Sequence, residues 1–131
     1  MTQAIDTSQF KPAGWHTVTP RIIVSGAEKL VDFVKGVFGA MGDYRPEAPA
    51  ELRIGDSIIM ISDAGVREPM VACLYIYVAS ADEIWQRAVK AGARSIEAPL
   101  DTPYGDRRAM VKDAWGNTWQ IATRARARGP T

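Results

Sequence analysis

The chain contains a single cysteine, Cys73, has almost no excess of charge of either sign, and lacks any long apolar run. One cysteine excludes an internal disulfide and is typical of a reducing compartment, so a cytoplasmic location is expected. The formal net charge of +1 excludes a strong electrostatic attraction to nucleic acid or to an anionic membrane. No apolar run approaches the roughly 20 residues of a membrane span, and residues 1–10 lack the apolar core of a signal peptide.

What remains is the composition of an ordinary globular domain. The chain has 131 residues, 47% of them hydrophobic and 24% charged, which suits one domain with its own core and no need of a structural metal. We predict a flexible arm over residues 1–14, a single domain over 15–123 and a flexible tail over 124–131. The alternating arginines of that tail are typical of a solvated segment, and phosphate binding is the alternative.

The first half of the domain predicts a strand, a helix and three more strands. Ser25 and Glu28 have the spacing of a helix capping box, apolar residues follow at helical intervals, and Gly39 is placed to end the helix. The β-branched and apolar segments around this helix predict strands at residues 17–24, 41–45, 51–54 and 57–62.

The same order then repeats. Ser80 and Glu83 form a second capping box, Trp85 belongs to the apolar face of the helix that follows, and Gly92 ends that helix. The strands predicted for this half are residues 71–78, 94–97, 106–112 and 118–123.

This internal repeat predicts an α+β fold of two tandem β-α-β-β-β modules, at residues 15–64 and 70–123. Together the modules are expected to form one curved mixed sheet, with helices on its convex face and a cleft on its concave face. Clefts of this kind bind small molecules. A ferredoxin-like α+β domain with accidental similarity between its halves is the alternative.

Five segments of the chain resemble the glyoxalase/bleomycin-resistance/dioxygenase superfamily, also called the vicinal oxygen chelate superfamily, and within it the PhnB-like branch. They occur in the expected order between residues 15 and 123. The segments are TVTP at 17–20, VFGA at 37–40, LRIGDS at 52–57, YGDR at 104–107 and DAWGNTWQIAT at 113–123.

The resemblance implies a homodimer with a cavity inside each curved sheet. Members of the superfamily are metal-dependent isomerases, extradiol dioxygenases, fosfomycin-modifying transferases, or metal-free proteins that sequester a drug. In the enzymes, a divalent metal held by His and Glu binds two neighbouring substrate oxygens and stabilises the negative charge that develops.

The four metal-ligand positions of the superfamily carry over to Thr19, Ile59, Cys73 and Gln120. None of them is His, Asp or Glu, which are the ligands that a catalytic divalent metal prefers. The only histidine, His16, has the strand parity of the opposite face and is expected to make a local hydrogen bond. The sequence therefore predicts no metal and no other cofactor, with a divalent metal as the alternative.

Strand parity predicts which side chains face the cleft. Arg21 is expected to pair with a loop carboxylate or to face an anionic ligand group. Cys73 is expected to be buried and inert rather than a reactive thiol, and Asp106 and Arg107 are expected to fix a loop. The predicted ligand-binding residues are Thr19, Arg21, Ser57, Ile59, Cys73, Tyr75, Tyr77, Thr118 and Gln120, and the predicted helix-facing residues are Ile22, Val24, Leu74, Ile76, Trp119 and Ile121.

The mixed aromatic and polar character of this face favours a metal-free protein that sequesters or carries an aromatic or amphipathic molecule, such as an antibiotic. Whether it is an enzyme is open. A metal-dependent lyase, isomerase or dioxygenase would need a ligand from a loop, and His16, Glu47 and Asp63 are the candidates. A cofactor-free enzyme using Cys73, Tyr75 or Arg21 is the third hypothesis.

Overall fold

The structure, a computed structural model, describes residues 4, 6 and 8–124. Most of the predicted tail and part of the predicted arm lie outside these residues. The chain forms two helices, α1 (Ala27–Phe38) and α2 (Ala81–Lys90). The strands are β1 (Arg21–Val24), β2 (Ala50–Ile54), β3 (Ser57–Asp63), β4 (Cys73–Tyr77), β5 (Arg94–Asp101), β6 (Asp106–Lys112) and β7 (Thr118–Arg124).

The strands divide between two mixed sheets of similar topology. The first has the order β1-β3-β2 and the second β4-β7-β6-β5. In the first sheet β1 runs parallel to β3, and in the second β4 runs parallel to β7. The other strand pairings are antiparallel. The predicted α+β fold is therefore confirmed, with the strands in two hydrogen-bonded sheets where one curved sheet was expected.

Two strands of the first half are shorter than predicted. β1 begins at Arg21 rather than at residue 17, directly after Pro20, whose nitrogen has no proton to donate to a sheet. The strand predicted at 41–45 is reduced to an isolated bridge between Met41 and Arg53. Next to it the backbone of Gly42, at φ 132°, passes so close to β2 that an added Cβ would lie 2.2 Å from the Glu51 carbonyl oxygen.

The two helices begin in different ways. α2 begins as predicted, because the Ser80 hydroxyl accepts a hydrogen bond from the Glu83 amide over 3.2 Å. At α1 the predicted capping box is wrong, since the N-cap is Gly26 in the left-handed region and no side chain of the helix start caps it. Instead Asp63, at the end of β3, accepts a hydrogen bond from the Ala27 amide over 3.0 Å.

One hydrophobic core joins both sheets through the helices. α1 packs on β2 and β3, α2 packs on β5, β6 and β7, and the helices pack on each other. The rings of Phe38 and Trp119 lie 5.0 Å apart in this core, and an Arg87 guanidinium nitrogen donates to the Val37 carbonyl over 3.2 Å. Each sheet therefore has a face covered by a helix and an outer face turned away from the helices. Neither helix of the described segments has the length and apolar character needed to cross a bilayer.

Candidate functional site

The outer face of the second sheet carries most of the predicted ligand-binding residues. In the parallel pairing of β4 and β7, Cys73 lies beside Thr118 and Tyr75 beside Gln120, and Tyr77 continues the same row. The alternate residues of both strands lie on the helix side: Trp119 and Ile121 are fully buried in the core, and Leu74 and Ile76 pack against it. Parity therefore assigns the faces of these two strands correctly.

The first sheet does not follow the predicted parity. Arg21 pairs with Met60, whereas Ile59 pairs with Leu52 and is buried in the core with an exposed fraction of 4%. Ile59 and, by alternation, Ser57 therefore lie on the face of β3 that is turned toward the helices, whereas Arg21 lies on the opposite face of the sheet. The sequence repeat misplaced β3 by one residue, and a shift of one residue exchanges the two faces of a strand.

Asp106 is the buried centre of a polar cluster on the outer face of the second sheet. We call this the Asp106 cluster, and its members are Tyr75, Tyr77, Tyr104, Asp106, Arg108 and Arg124. Asp106 has an exposed fraction of 1%. Its Oδ2 accepts hydrogen bonds from the Tyr75 hydroxyl over 2.6 Å and the Tyr77 hydroxyl over 2.8 Å, and its Oδ1 lies 3.1 Å from an Arg124 guanidinium nitrogen. A buried carboxylate needs such donors and a cation to offset its lost hydration.

The turn before β6 positions this cluster. The Thr102 hydroxyl accepts from the Asp106 amide over 3.0 Å and donates to the Asp106 carbonyl over 2.9 Å. An Arg124 guanidinium nitrogen donates to the Tyr104 carbonyl over 2.9 Å. These bonds hold the Tyr104 side chain over the sheet, where its hydroxyl lies 3.1 Å from the Tyr75 hydroxyl and 3.0 Å from a nitrogen of Arg108.

The surroundings shift the pKa values of two tyrosines of the Asp106 cluster in opposite directions. Burial, and then its hydrogen bond to Asp106, raise the pKa of Tyr75 far above its ordinary value. Hydrogen bonds from Tyr75 and from the Arg108 guanidinium lower the pKa of Tyr104, although burial and the charge of Asp106 oppose this shift. Arg108 also binds Glu97 over 2.7 Å, which fixes the direction of its guanidinium.

A cavity of about 300 Å³ lies along β4, next to the Asp106 cluster. Tyr75 and Tyr77 contribute to its wall, and their rings are 5.4 Å apart in an edge-to-face arrangement. This cavity also includes the predicted residues Ser57 and Ile59. Its lining residues are Pro20, Ile54, Gly55, Asp56, Ser57, Ile59, Leu74, Tyr75, Ile76 and Tyr77.

Arg21 lines a separate cavity of about 270 Å³ on the first sheet. Its guanidinium donates to the Ser62 hydroxyl over 3.0 Å, so its observed partner is neutral, where a loop carboxylate was expected. The structure therefore does not bring Arg21 into one site with Tyr75 and Tyr77.

The four residues carried over to the superfamily's metal-ligand positions offer a poor donor set for a divalent metal. Thr19 precedes β1, Ile59 is buried in the core, and Cys73 Sγ lies 3.7 Å from Gln120 Oε1. Within residues 4, 6 and 8–124, no group of three or more His, Cys, Asp or Glu side chains could hold a metal ion. A thiol and a carboxamide alone do not fit a catalytic divalent metal. Cys73 is exposed, so its predicted burial is wrong.

Of the candidate loop ligands, Asp63 is engaged elsewhere. One of its carboxylate oxygens accepts a hydrogen bond from the Tyr44 hydroxyl over 2.5 Å, and the other caps α1.

Arg107 was expected to fix a loop. It joins three elements, because its guanidinium binds Asp82 of α2 over 3.0 Å and Asp101 of β5 over 3.4 Å.

Sequence reasoning missed Tyr104, Arg108 and Arg124 as site residues, and for Asp106 it favoured a loop-fixing role over a catalytic one. The alternation of buried and exposed residues along β6 could have identified two site residues, Asp106 and Arg108. Ala109 and Val111 are fully buried on the helix side, so Asp106 and Arg108 share the opposite face.

Comparison with known proteins agrees with this architecture. The family model described as Glyoxalase/Bleomycin resistance protein/Dioxygenase superfamily matches residues 15–121. The chain is 28% identical over 122 residues to a Mycobacterium bovis protein named as the uncharacterized protein Mb0911c, with 79% of this chain and 80% of that protein covered.

Solved structures share the fold at low sequence identity. TioX from Micromonospora sp. ML1 is 22% identical, with a TM-score of 0.64 and coverage of 82% of this chain and 98% of that one. A family enzyme from Burkholderia phytofirmans PsJN is 23% identical, with a TM-score of 0.68 and coverage of 79% and 94%. The fosfomycin resistance protein FosX from Mesorhizobium loti is 21% identical, with a TM-score of 0.63 and coverage of 82% and 91%. Identities this low carry the fold and not the reaction.

Proposed function

Since the chain belongs to the glyoxalase/bleomycin resistance protein/dioxygenase superfamily, we propose that it is a small-molecule binding protein that takes an aromatic or amphipathic ligand without a metal ion. The observation that carries this proposal is the cavity of about 300 Å³ along β4, walled by Tyr75 and Tyr77. That volume is at the lower end of the range for small-molecule sites, roughly 300–1,000 Å³.

The chemistry of the wall suits a flat molecule with both apolar and polar parts. Aromatic rings prefer edge-to-face or offset contacts with one another, and the two tyrosines already make such a contact at 5.4 Å. Ile54 and Ile59 supply aliphatic surface, while Ser57 supplies a hydroxyl. Such a site holds a ligand by burying its rings and orients it through a few hydrogen bonds.

Sequestering or carrying that ligand is the role we propose. One of the solved structures with this fold is a fosfomycin resistance protein, so antibiotics belong among the first ligands to test. Membership of the PhnB-like branch, a homodimer and a cytoplasmic location complete the proposal, and they rest on the sequence segments and the single cysteine.

The metal-dependent reactions of the superfamily find no support in the donors at the four carried-over ligand positions. Thr19, Cys73 and Gln120 supply a hydroxyl, a thiol and an amide. On β3, neither Ile59 nor its outer-face neighbours Ile58 and Met60 supply an oxygen or nitrogen donor. We expect elemental analysis of purified protein, after loading with divalent metals and dialysis, to find far less than one ion per chain. Stoichiometric retention of one metal would contradict the metal-free proposal.

Isothermal titration with a panel of aromatic antibiotics and aromatic metabolites tests the binding itself. We expect saturable binding that treatment with a chelator leaves unchanged. Tyr77→Ala should weaken it by about tenfold or more, because it removes one ring of the wall. Phe10→Ala, which removes an exposed ring that is not among the residues lining the cavity, is the matched control. Equal affinity of wild type and Tyr77→Ala, or no binding across the panel, would contradict the proposal.

A further inference from the structure

A chain of hydrogen bonds connects the solvent to the buried carboxylate of Asp106. The exposed fraction of Tyr104 is 42% and that of Asp106 is 1%. Between them lies Tyr75, whose hydroxyl is 3.1 Å from the Tyr104 hydroxyl and 2.6 Å from Asp106 Oδ2. Each link lies within hydrogen-bond distance, so a proton can move between neighbouring oxygens along this path.

Tyr75 has one proton and two acceptors. When Tyr104 is a neutral phenol, it can donate to the Tyr75 oxygen while Tyr75 donates to Asp106. When Tyr104 is a phenolate, the Tyr75 proton can turn toward it, because the Tyr77 hydroxyl still donates to Asp106 over 2.8 Å. Both protonation states of Tyr104 therefore keep hydrogen-bonded partners, which is the property required of an acid–base group.

The charges around the Tyr104 hydroxyl favour its ionised form. A guanidinium nitrogen of Arg108 donates to it over 3.0 Å, and the other side of that guanidinium is held by Glu97. The negative charge of Asp106 acts in the opposite sense, but Arg124 lies 3.1 Å from Asp106 and offsets it. Together with the hydrogen bond from Tyr75, these contacts hold the pKa of Tyr104 below its ordinary value.

We propose that Tyr104 is a general acid–base residue for proton transfer to and from a carbon acid, with Tyr75, Asp106 and Arg108 as positioning residues. The ligand is the aromatic molecule of the proposed function, on which this inference rests, since Tyr75 belongs both to the cavity wall and to the hydrogen-bonded chain from Tyr104. The acid is a C–H bond next to an electron-withdrawing group, because a phenolate can deprotonate such a bond without a metal. The activity goes beyond the binding proposed above and requires no metal or redox cofactor.

The step is a simple proton transfer. The Tyr104 phenolate oxygen forms a bond to the proton as the C–H bond breaks, and the electron pair moves to an electronegative atom of the ligand. The phenol then returns its proton to the ligand or to water. Nothing is oxidised or reduced. The Arg108 guanidinium remains beside the Tyr104 oxygen and stabilises its phenolate before and after each cycle.

The first test is a spectroscopic titration of the four tyrosines through the ultraviolet absorbance of phenolate. We expect one tyrosine to ionise at lower pH than the others, and this early step to disappear in Tyr104→Phe. Arg108→Gln should move it to higher pH, because the guanidinium donor is lost. Arg107→Gln is the matched control, since it removes an equal charge from the opposite face of β6. An early step that persists in Tyr104→Phe, or that Arg108→Gln leaves in place, would overturn the proposal.

The second test uses a nitrobenzisoxazole as the carbon acid, because its ring opening needs only a base and releases a coloured phenolate. The base removes the ring C–H proton, the N–O bond breaks and a nitrile forms. We expect a rate that rises with pH in step with the early tyrosine ionisation, and a loss of about tenfold or more in kcat/KM in Tyr104→Phe. Arg108→Gln should shift the pH profile to higher pH and leave the folded state intact by circular dichroism. A Tyr104→Phe rate equal to wild type, or a pH profile unrelated to the titration, would refute a catalytic role.

Discussion

The indole Nε1 of Trp119 donates a hydrogen bond to Oδ2 of Asp113 over 2.8 Å, and both residues are buried, with exposed fractions of 0% and 5%. The same carboxylate accepts from the Asn117 side chain and from the Trp115 and Asn117 amides, all over 2.9 Å. Asn117 in turn accepts from the Ala72 amide over 2.9 Å. One buried carboxylate thus fixes the turn between β6 and β7, which hold the residues of the outer face.

Asp113→Ala should destabilise the protein by about 3 kcal/mol, because it leaves the buried Trp119 Nε1 and Asn117 amide donors without an acceptor. Urea unfolding followed by tryptophan fluorescence measures the change. Asp101→Ala is the control, since it removes an exposed carboxylate from a surface ion pair and should cost less than about 0.5 kcal/mol. Equal effects of the two variants would contradict the role given to Asp113.

The two capping boxes show where sequence reasoning works and where it stops. At Ser80 the partners are three residues apart, and a local pattern is enough to identify a local hydrogen bond. At Ser25 the pattern is the same, but Asp63 caps the helix from a position 36 residues away. The pairing of β3 in the sheet brings that carboxylate to α1. No local sequence pattern identifies this pairing.

That difference makes a direct comparison possible. Asp63→Ala should destabilise the protein by about 1 kcal/mol, because the Ala27 amide loses its acceptor. Ser25→Ala should change stability by only a few tenths of a kcal/mol, since the α1 start makes no side-chain cap of its own. Thermal unfolding by circular dichroism checks both. A larger loss in Ser25→Ala than in Asp63→Ala would restore the capping box that the sequence predicts.

The candidate site shows the same division between local and long-range information. Alternation along β4 and β7 was enough to place Tyr75, Tyr77 and Gln120 on one face, because each strand is regular and its other face is apolar. Tyr104 lies outside any strand, in a turn, so no periodicity indicated its direction. Its place over the sheet depends on Thr102 and Arg124, and the second of these is 20 residues away in the sequence.

Replacement of two glycines by alanine should change the stability of the protein in opposite directions. At Gly42 an added Cβ would lie 2.2 Å from the Glu51 carbonyl oxygen, and the backbone has φ +132°, so Gly42→Ala should destabilise strongly, by about 2 kcal/mol or more. Gly36 is an exposed position inside α1 with no atom within 4 Å of an added Cβ. Gly36→Ala should stabilise by about 0.5–1 kcal/mol, since alanine loses less entropy in a helix.

Chemical denaturation of both variants beside wild type provides the measurement. A stable Gly42→Ala protein would show that the Met41–Arg53 bridge is not a fixed contact. A destabilised Gly36→Ala protein would show that the surface of α1 at Gly36 is in contact with another part of the protein.

Alkaline pH should destabilise the protein partly through Tyr75. Burial and the hydrogen bond to Asp106 hold the pKa of Tyr75 above its ordinary value of 10.0, so the folded state binds this proton more tightly than the unfolded chain. The stabilisation is therefore complete below about pH 10 and is lost as the pH rises above it. Tyr44 adds in the same sense, because its hydrogen bond to Asp63 raises its pKa.

The shift at Tyr104 has the opposite sign. Its lowered pKa means that the unfolded chain binds the proton more tightly, so its contribution to stability increases as the pH rises toward about 10. Tyr75→Phe should reduce the fall in the free energy of unfolding above that pH, and Tyr104→Phe should reduce the gain just below it. Urea unfolding of wild type and both variants at a series of alkaline pH values measures both slopes. An unchanged slope above pH 10 in Tyr75→Phe would mean that Asp106 does not hold the Tyr75 proton, and the hydrogen-bonded path from Tyr104 would then end at Tyr75.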